Sequence, residues 1–407
     1  MNSLIGQSGG PTSVINSTLA GAIKASIDFG AERVFGLKNG IVGLINEEFV
    51  EIDKEIFIND KIYEKLKKRP SSILGSCRYK LPEDLNDPIY SKIFNVLKGR
   101  NITNFEYIGG NDSMDTVTKL NKYMQKNNIS DISIVGGPKT IDNDLFGMDH
   151  SPGFGSCVKF INTSLKTVRA DCDIYPIRSV TIVEIMGRNT GWLTASSHLA
   201  NIGHEKEVVN IVYTSEISIS KEQIIKDIEK AFEKDSNVLI ALSEGFMDSE
   251  KYFEQESRQS HDFGFNHPII SGIGQRISNY VHEVMGVKTK AIELSILQRT
   301  GIYISETDSE EAFNLGYNSM KYSFEGMSGV VAVLNRKNTE SYEVEYSHVN
   351  AGEIANKEKN IPIEWLQTPE TLRDNITKYA LPLIRGEIIQ EYLNGMPKFV
   401  KLEDFTK

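Results

Sequence analysis

Three apolar runs in this chain each break into a glycine cluster: QSGG at 7–10, IGGND at 108–112 and VGGPK at 135–139. A buried strand that ends in glycines and hands over to a helix is the repeating unit of a parallel sheet covered by helices. The alternation continues along the chain. Apolar content predicts strands over 33–38, 104–110, 131–137, 179–185, 207–215, 236–245 and 328–336. Spacings of three and four predict helices over 14–30, 91–101, 113–128, 157–172, 190–201, 221–235, 270–286 and 308–326. Unbroken runs such as SVTIVEI (179–185) suit strands buried on both faces. Ligands of such sheets sit beyond the carboxyl ends of the strands, which is where the glycine clusters fall. The polar stretch 247–267 reads as a loop or lid, and no internal repeat or low-complexity tract interrupts the pattern.

The chain has 407 residues, 40% hydrophobic and 25% charged, enough for roughly two to three domains or two large ones. A formal net charge of −10 makes nucleic acid and anionic membrane surfaces poor partners. The start lacks a basic and apolar signal pattern, and no apolar run is long enough to span a bilayer. Cys77, Cys157 and Cys172 form no CxxC pair and no His cluster. They fit reduced thiols in a cytoplasm rather than structural zinc.

The glycine turns carry the chemistry. Glycine lets the backbone bend sharply and lets a ligand approach the amides, and a following helix N-terminus favours an anion. GQSGGPTSVIN (6–16) fits this with Gly9, Gly10 and Pro11. GGNDSMDT (109–116) fits it again, with Asp112 or Ser113 able to cap the helix. In GGPKTIDNDL (136–145), extended backbone would point Asp142 and Asp144 to one side. Paired carboxylates there can hold Mg²⁺, or one can take a proton from a substrate hydroxyl. Lys139 adds a point charge suited to phosphate, and Thr140 a hydroxyl. A capping turn would account for the Asp and Asn, but not for the lysine set directly after a buried strand. In EIMGRNTGW (184–192), Arg188 lies between Gly187 and Gly191, where a guanidinium can reach a phosphate oxygen.

Together SGGPTSVIN, GSCRY, GGNDS, PKTIDND, VEIMGRNTGW, SEG and LQR resemble the phosphofructokinase family, in the family's order from Gly6 to Arg299. The resemblance implies an α/β fold of two similar three-layer domains with mostly parallel sheets and the site in the cleft between them. Residues 1–154 with about 298–345 would bind the phosphoryl donor. Residues 155–297 with about 346–407 would bind the sugar phosphate. The family's members are dimers or tetramers in which a neighbouring subunit often completes the sugar site. By motif, Asp142 would be the base for the C1 hydroxyl of fructose 6-phosphate, with Thr140, Lys139 and Arg188 beside it. Met186, Gly187, Arg188, Glu244, Lys290 and Arg299 would bind the sugar phosphate. Gly9, Gly10, Arg78, Asp112, Ser113 and Lys139 would face the donor. Asn111, Asp112 and Asp144 would contact Mg²⁺.

Two positions bear on the donor. The family's ATP-dependent branch usually has glycines where this chain has Asp112 and Lys139. A carboxylate at 112 would crowd and repel the α-phosphate of a nucleotide, so the chain resembles the pyrophosphate-dependent branch. Other positions depart from the family. Asn111 stands in place of an aspartate, Lys290 in place of an arginine, and Ile296 in place of a Tyr or His. Arg178 stands one residue out of register with a phosphate-binding arginine. The alternatives are an ATP-dependent kinase of the same fold and a weakly active paralogue that senses a sugar phosphate.

Overall fold

Runs of apolar residues without polar alternation become interior strands. In chain order the main strands are β1 (Asn2–Gln7), β2 (Arg33–Leu37), β3 (Phe49–Ile52), β4 (Ile102–Gly109), β5 (Ser133–Pro138), β6 (Ser179–Ile185), β7 (Ile211–Tyr213), β8 (Asn237–Ser243), β9 (Lys288–Glu293), β10 (Val330–Arg336) and β11 (Val344–Asn350). The computed structural model describes residues 1–253, 272–338 and 341–407. Most of the expected loop 247–267 lies outside the described residues. Among the described residues, no helix is long and apolar enough to cross a membrane.

The strands form a seven-stranded sheet, β11-β10-β5-β4-β1-β2-β3, and a four-stranded one, β7-β8-β6-β9. In the large sheet the edge strands β3 and β11 run antiparallel to their neighbours. β1 pairs with β2 on one side and β4 on the other, all parallel. The chain order therefore reverses at β1, and the crevice beyond the carboxyl ends of β1 and β4 is the place where such sheets bind ligands. The smaller sheet is parallel throughout.

Helices cover the large sheet by close backbone approach. The helix Ile15–Asp28 crosses the helix Glu306–Phe324, and a Cβ on Gly21 would lie 1.9 Å from Phe313 O, one on Gly316 2.0 Å from Thr18 O. Asp308, in the first turn of the second helix, accepts from Gly153 N at 2.9 Å and Ser156 N at 2.8 Å. It thereby fixes the start of the helix Phe154–Cys172, which packs against the small sheet.

Several elements are shorter than their patterns suggest. The expected helix 190–201 is one turn, Trp192–Ala195, followed by 3₁₀ backbone, and Ser196 Oγ donates back to Leu193 O. The expected strand 207–215 keeps only β7, because the Asn210 side chain takes Leu239 N and Arg169 takes Val208 O. β11 stays in the large sheet to Asn350, past the boundary near 345. The tail, expected with the second domain, returns to the first. Asp53 N donates to Phe405 O at 3.0 Å, and Phe405 packs 5.9 Å from Phe57. The reason is the open edge of β3, which the tail covers.

Candidate active site

The glycine turns after β1, β4 and β5 converge because their strands are neighbours in one parallel sheet. Gly9 adopts φ +74°, a left-handed conformation that suits glycine. Its amide donates to Cys77 O at 3.1 Å, which brings Arg78 to the turn. Lys139 N donates to Gly109 O at 2.9 Å, and Lys139 Nζ donates to Gly10 O at 2.6 Å. The lysine thus ties all three turns together. A cavity of ≈ 310 Å³ lies between them. It is lined by Gly9, Gly10, Arg78, Asn111, Asp112 and Ser113, and by Lys139, Thr140, Asp142, Asp144 and Arg299.

Asp142 and Asp144 share this cavity, but not through extended backbone. Asn143 between them has φ +57° and is fully buried. This left-handed residue turns the chain so that both carboxylates line one wall. Asp142 N donates to Thr140 Oγ1 at 3.1 Å, and Thr190 Oγ1 donates to Asp142 O at 3.1 Å.

On the small-sheet side Arg299 lines the cavity, while Met186, Gly187, Arg188 and Glu244 do not, although the Glu244 charge acts on Asp142 and the Arg188 charge on Arg78. Gly187 has φ +122°, and Gly187 N donates to Glu244 Oε1 at 3.4 Å. Gly245 is required here, since a Cβ on it would meet Arg188 O at 1.8 Å. Met186 N donates to Gln298 Oε1 at 3.2 Å, which anchors the 3₁₀ turn carrying Arg299. Arg188 Nε is buried with no hydrogen-bond partner among the described residues.

These groups perturb one another. Burial lowers Lys139 to a pKa of about 8 against the pull of Asp142. Burial raises Asp144 to about 7, with the Asp142 charge adding to it. Asp142 is raised by burial and then by Glu244, while Arg299 and Lys139 oppose the shift. Glu244 is raised by burial. Arg78 is lowered by burial and by Arg299. A raised carboxylate is a stronger base than an ordinary one. The arrangement pairs such a base with four cationic side chains, a combination suited to moving charge between polyanions.

The family model described as Phosphofructokinase matches residues 2–323. The chain belongs to this family. It is 30% identical to a pyrophosphate–fructose 6-phosphate 1-phosphotransferase of Halomonas elongata, over 98% of this chain and 96% of that protein. It is 31% identical to the protein of the same name from Xanthomonas campestris pv. campestris, over 99% and 96%. The crystal structure of a pyrophosphate-dependent phosphofructokinase from Nitrosospira multiformis superposes with a TM-score of 0.87 at 29% identity, covering 100% of this chain and 97% of that one. The phosphofructokinase-like α/β fold expected from the motifs is the fold observed.

Not every residue expected from the phosphofructokinase motifs reaches the cavity. Lys290, in β9, pairs with Asp171 at 3.0 Å and stands among Tyr175, Ile177 and Lys288 instead. Arg178 precedes β6 and lies over the Phe232 ring at 5.2 Å. Both stand toward the amino ends of their strands, opposite the cleft. Ile296 is 66% exposed. Asp112 reaches the cavity rim, where its carboxylate pairs with Lys80 at 2.9 Å. Ser113 lines the cavity with its Oγ shared with Ser8 Oγ.

The donor set fits Mg²⁺. Asn111 Oδ1 and Asp144 Oδ1 are buried without partners, and Asn111 Nδ2 donates to Asp144 Oδ2 at 3.2 Å. Hard oxygens in this number suit a cation held by one or two carboxylates plus substrate phosphates. Among the described residues no cluster of three His, Cys, Asp or Glu forms an all-protein cage. Sequence reading missed Lys80, which follows Arg78 by two residues and could have been paired with Asp112. It also missed Glu358, which lines the cavity from far along the chain with no local signal.

Proposed function

We propose that this phosphofructokinase-family chain transfers a phosphoryl group from pyrophosphate to the C1 hydroxyl of fructose 6-phosphate, giving fructose 1,6-bisphosphate and phosphate. The observation that carries the reading is the donor end of the cavity. Lys139 is buried across the turns that a nucleotide's inner phosphates would occupy, and the Asp112–Lys80 pair stands at the rim. That end has room and charge for a short polyanion.

The pyrophosphate lies against the Gly9–Gly10 turn and the start of the helix Asn111–Lys126, whose dipole favours an anion. Arg78 and Lys139 neutralise its charge. Arg299 and Arg188 hold the sugar phosphate, and Glu244 holds its hydroxyls. Asp142 takes the proton from the C1 hydroxyl as that oxygen attacks the terminal phosphorus in line, and orthophosphate leaves toward Lys139. Catalysis is mainly positioning and charge stabilisation. Asn111 Oδ1 and Asp144 would hold Mg²⁺, which would supply charge neutralisation to the phosphates.

The chain works as a homodimer or homotetramer. Ile174, Tyr175 and Ile177 are exposed beside Lys290. This apolar patch, on the segment before β6 and beside the edge strand β9, suits a second copy. The three cysteines are free thiols, which fits a cytoplasmic enzyme. Phosphorus NMR of the protein with Mg²⁺, pyrophosphate and fructose 6-phosphate tests the reaction. The reading expects a sugar 1-phosphoryl resonance and orthophosphate growing in equal amounts. Orthophosphate alone would mark a pyrophosphatase and contradict it.

A further inference from the structure

The family model ends at residue 323, yet residues beyond it hold the loop that carries both carboxylates. We propose that the C-terminal segment is a working part of the site, in which Lys359 and Tyr379 position Asp142 and Asp144 by clamping Asn143 between them. The inference rests on the phosphoryl-transfer reading above.

Asn143 is where the loop can be gripped. Its left-handed backbone is strained for a non-glycine residue and persists only where the surroundings hold it. Three groups do so. Asn143 Oδ1 accepts from Ser151 N at 3.0 Å and from Lys359 Nζ at 3.2 Å. Asn143 Nδ2 donates to Tyr379 OH at 2.8 Å. Two of the three come from the C-terminal segment.

The grip continues on either side of Asn143. Lys359 N donates to Asp144 O at 2.9 Å, and Leu145 bridges Glu358 in antiparallel fashion. Lys359 Nζ and Tyr379 OH both donate to Asp149 O, at the far end of the loop. The clamp is itself seated on the small-sheet side. Trp192 Nε1 donates to Lys359 O at 2.8 Å, and the Tyr379 ring packs 5.0 Å from the Trp192 ring. The loop leaves the large sheet at β5 but is held from the other side of the cleft. Neither Lys359 nor Tyr379 lines the cavity, so they act through Asn143 and are positioning residues. Misplacing a reacting group by about 1 Å costs roughly a hundredfold in rate, so loss of the clamp shows in turnover rather than in substrate binding.

The test compares Tyr379→Phe and Lys359→Met with the parent full-length chain. Steady-state kinetics gives kcat and both KM values, and amide hydrogen exchange with mass spectrometry follows residues 140–150. Tyr379→Phe is expected to lower kcat about fivefold to tenfold, and Lys359→Met about thirtyfold to a hundredfold. Both KM values stay within about threefold, and exchange over 140–150 speeds at least about tenfold. Unchanged exchange in the loop overturns the proposal. So does a loosened loop with parental kcat, or a fall in Tm alone. If Lys359→Met does not fold, Tyr379→Phe, which keeps the ring and removes one hydroxyl, decides the matter. If the parent chain turns over no pyrophosphate, the proposed function fails, and the exchange comparison still decides whether the segment holds the loop.

Discussion

On the proposed mechanism Asp142 is the group whose removal leaves the site otherwise whole. Its carboxylate lies in a cavity with Lys139, Arg78 and Arg299, and burial holds it above the ordinary carboxylate range. Asp142→Ala is expected to lower kcat by roughly 10²–10⁴-fold, the usual worth of a positioned base, with an unchanged circular dichroism spectrum. A variant with near-parental kcat would remove Asp142 from that role. The double variant Asp112→Gly with Lys139→Gly opens the donor end and deletes its charge. Its kcat/KM for pyrophosphate is expected to fall at least about a hundredfold, and unchanged pyrophosphate kinetics would contradict the donor argument. The sequence named these side chains because charge directly after a buried strand and a glycine turn has few structural uses. It did not name Asn143 as an anchor, or Glu358 and Lys359 at all. Their partners are some 200 residues away, and nothing local marks them. It also supposed extended backbone at 142–144, where a left-handed residue does the same work.

At the level of elements, the interior strands were legible because burial on both faces demands apolar runs, as in β6 and β8. The edge strands β9 and β11 were not. β9 reads KTKAIE, with Lys288, Lys290 and Glu293 exposed, and β11 reads VEYSHVN, with Glu345, His348 and Asn350 exposed. Polar residues interrupt both, so neither presents an unbroken run. One buried link between elements centres on His150. It lies buried between Asp149 at 2.8 Å and Glu311 at 2.6 Å, joining the catalytic loop to the helix Glu306–Phe324. Burial alone would lower its pKa, but Glu311 and Asp149 raise it to about 9, above its ordinary 6.5. A raised histidine stabilises the fold fully below the unfolded value and loses that contribution as pH rises through the folded one. The contribution of His150 is therefore expected to fall between pH 6.5 and about 9, by at most about 3 kcal/mol. His150→Gln should be less stable at pH 6 and flatter over that window. Equal slopes in the two proteins would remove His150 as the cause.

Over the whole molecule, late segments of the chain return to earlier elements. The tail closes the β3 edge of the first sheet, and the segment around Lys359 grips the loop from the second. The docking of the tail was not legible, because pairing on an open edge depends on tertiary partners rather than on local pattern. The central claim concerns the whole cleft: a short donor at one end and a sugar phosphate at the other. Initial rates with fructose 6-phosphate and Mg²⁺ test it most directly, with pyrophosphate or ATP as the donor. The account predicts turnover with pyrophosphate and a kcat/KM for ATP lower by at least about a thousandfold. Turnover with ATP in place of pyrophosphate would contradict it.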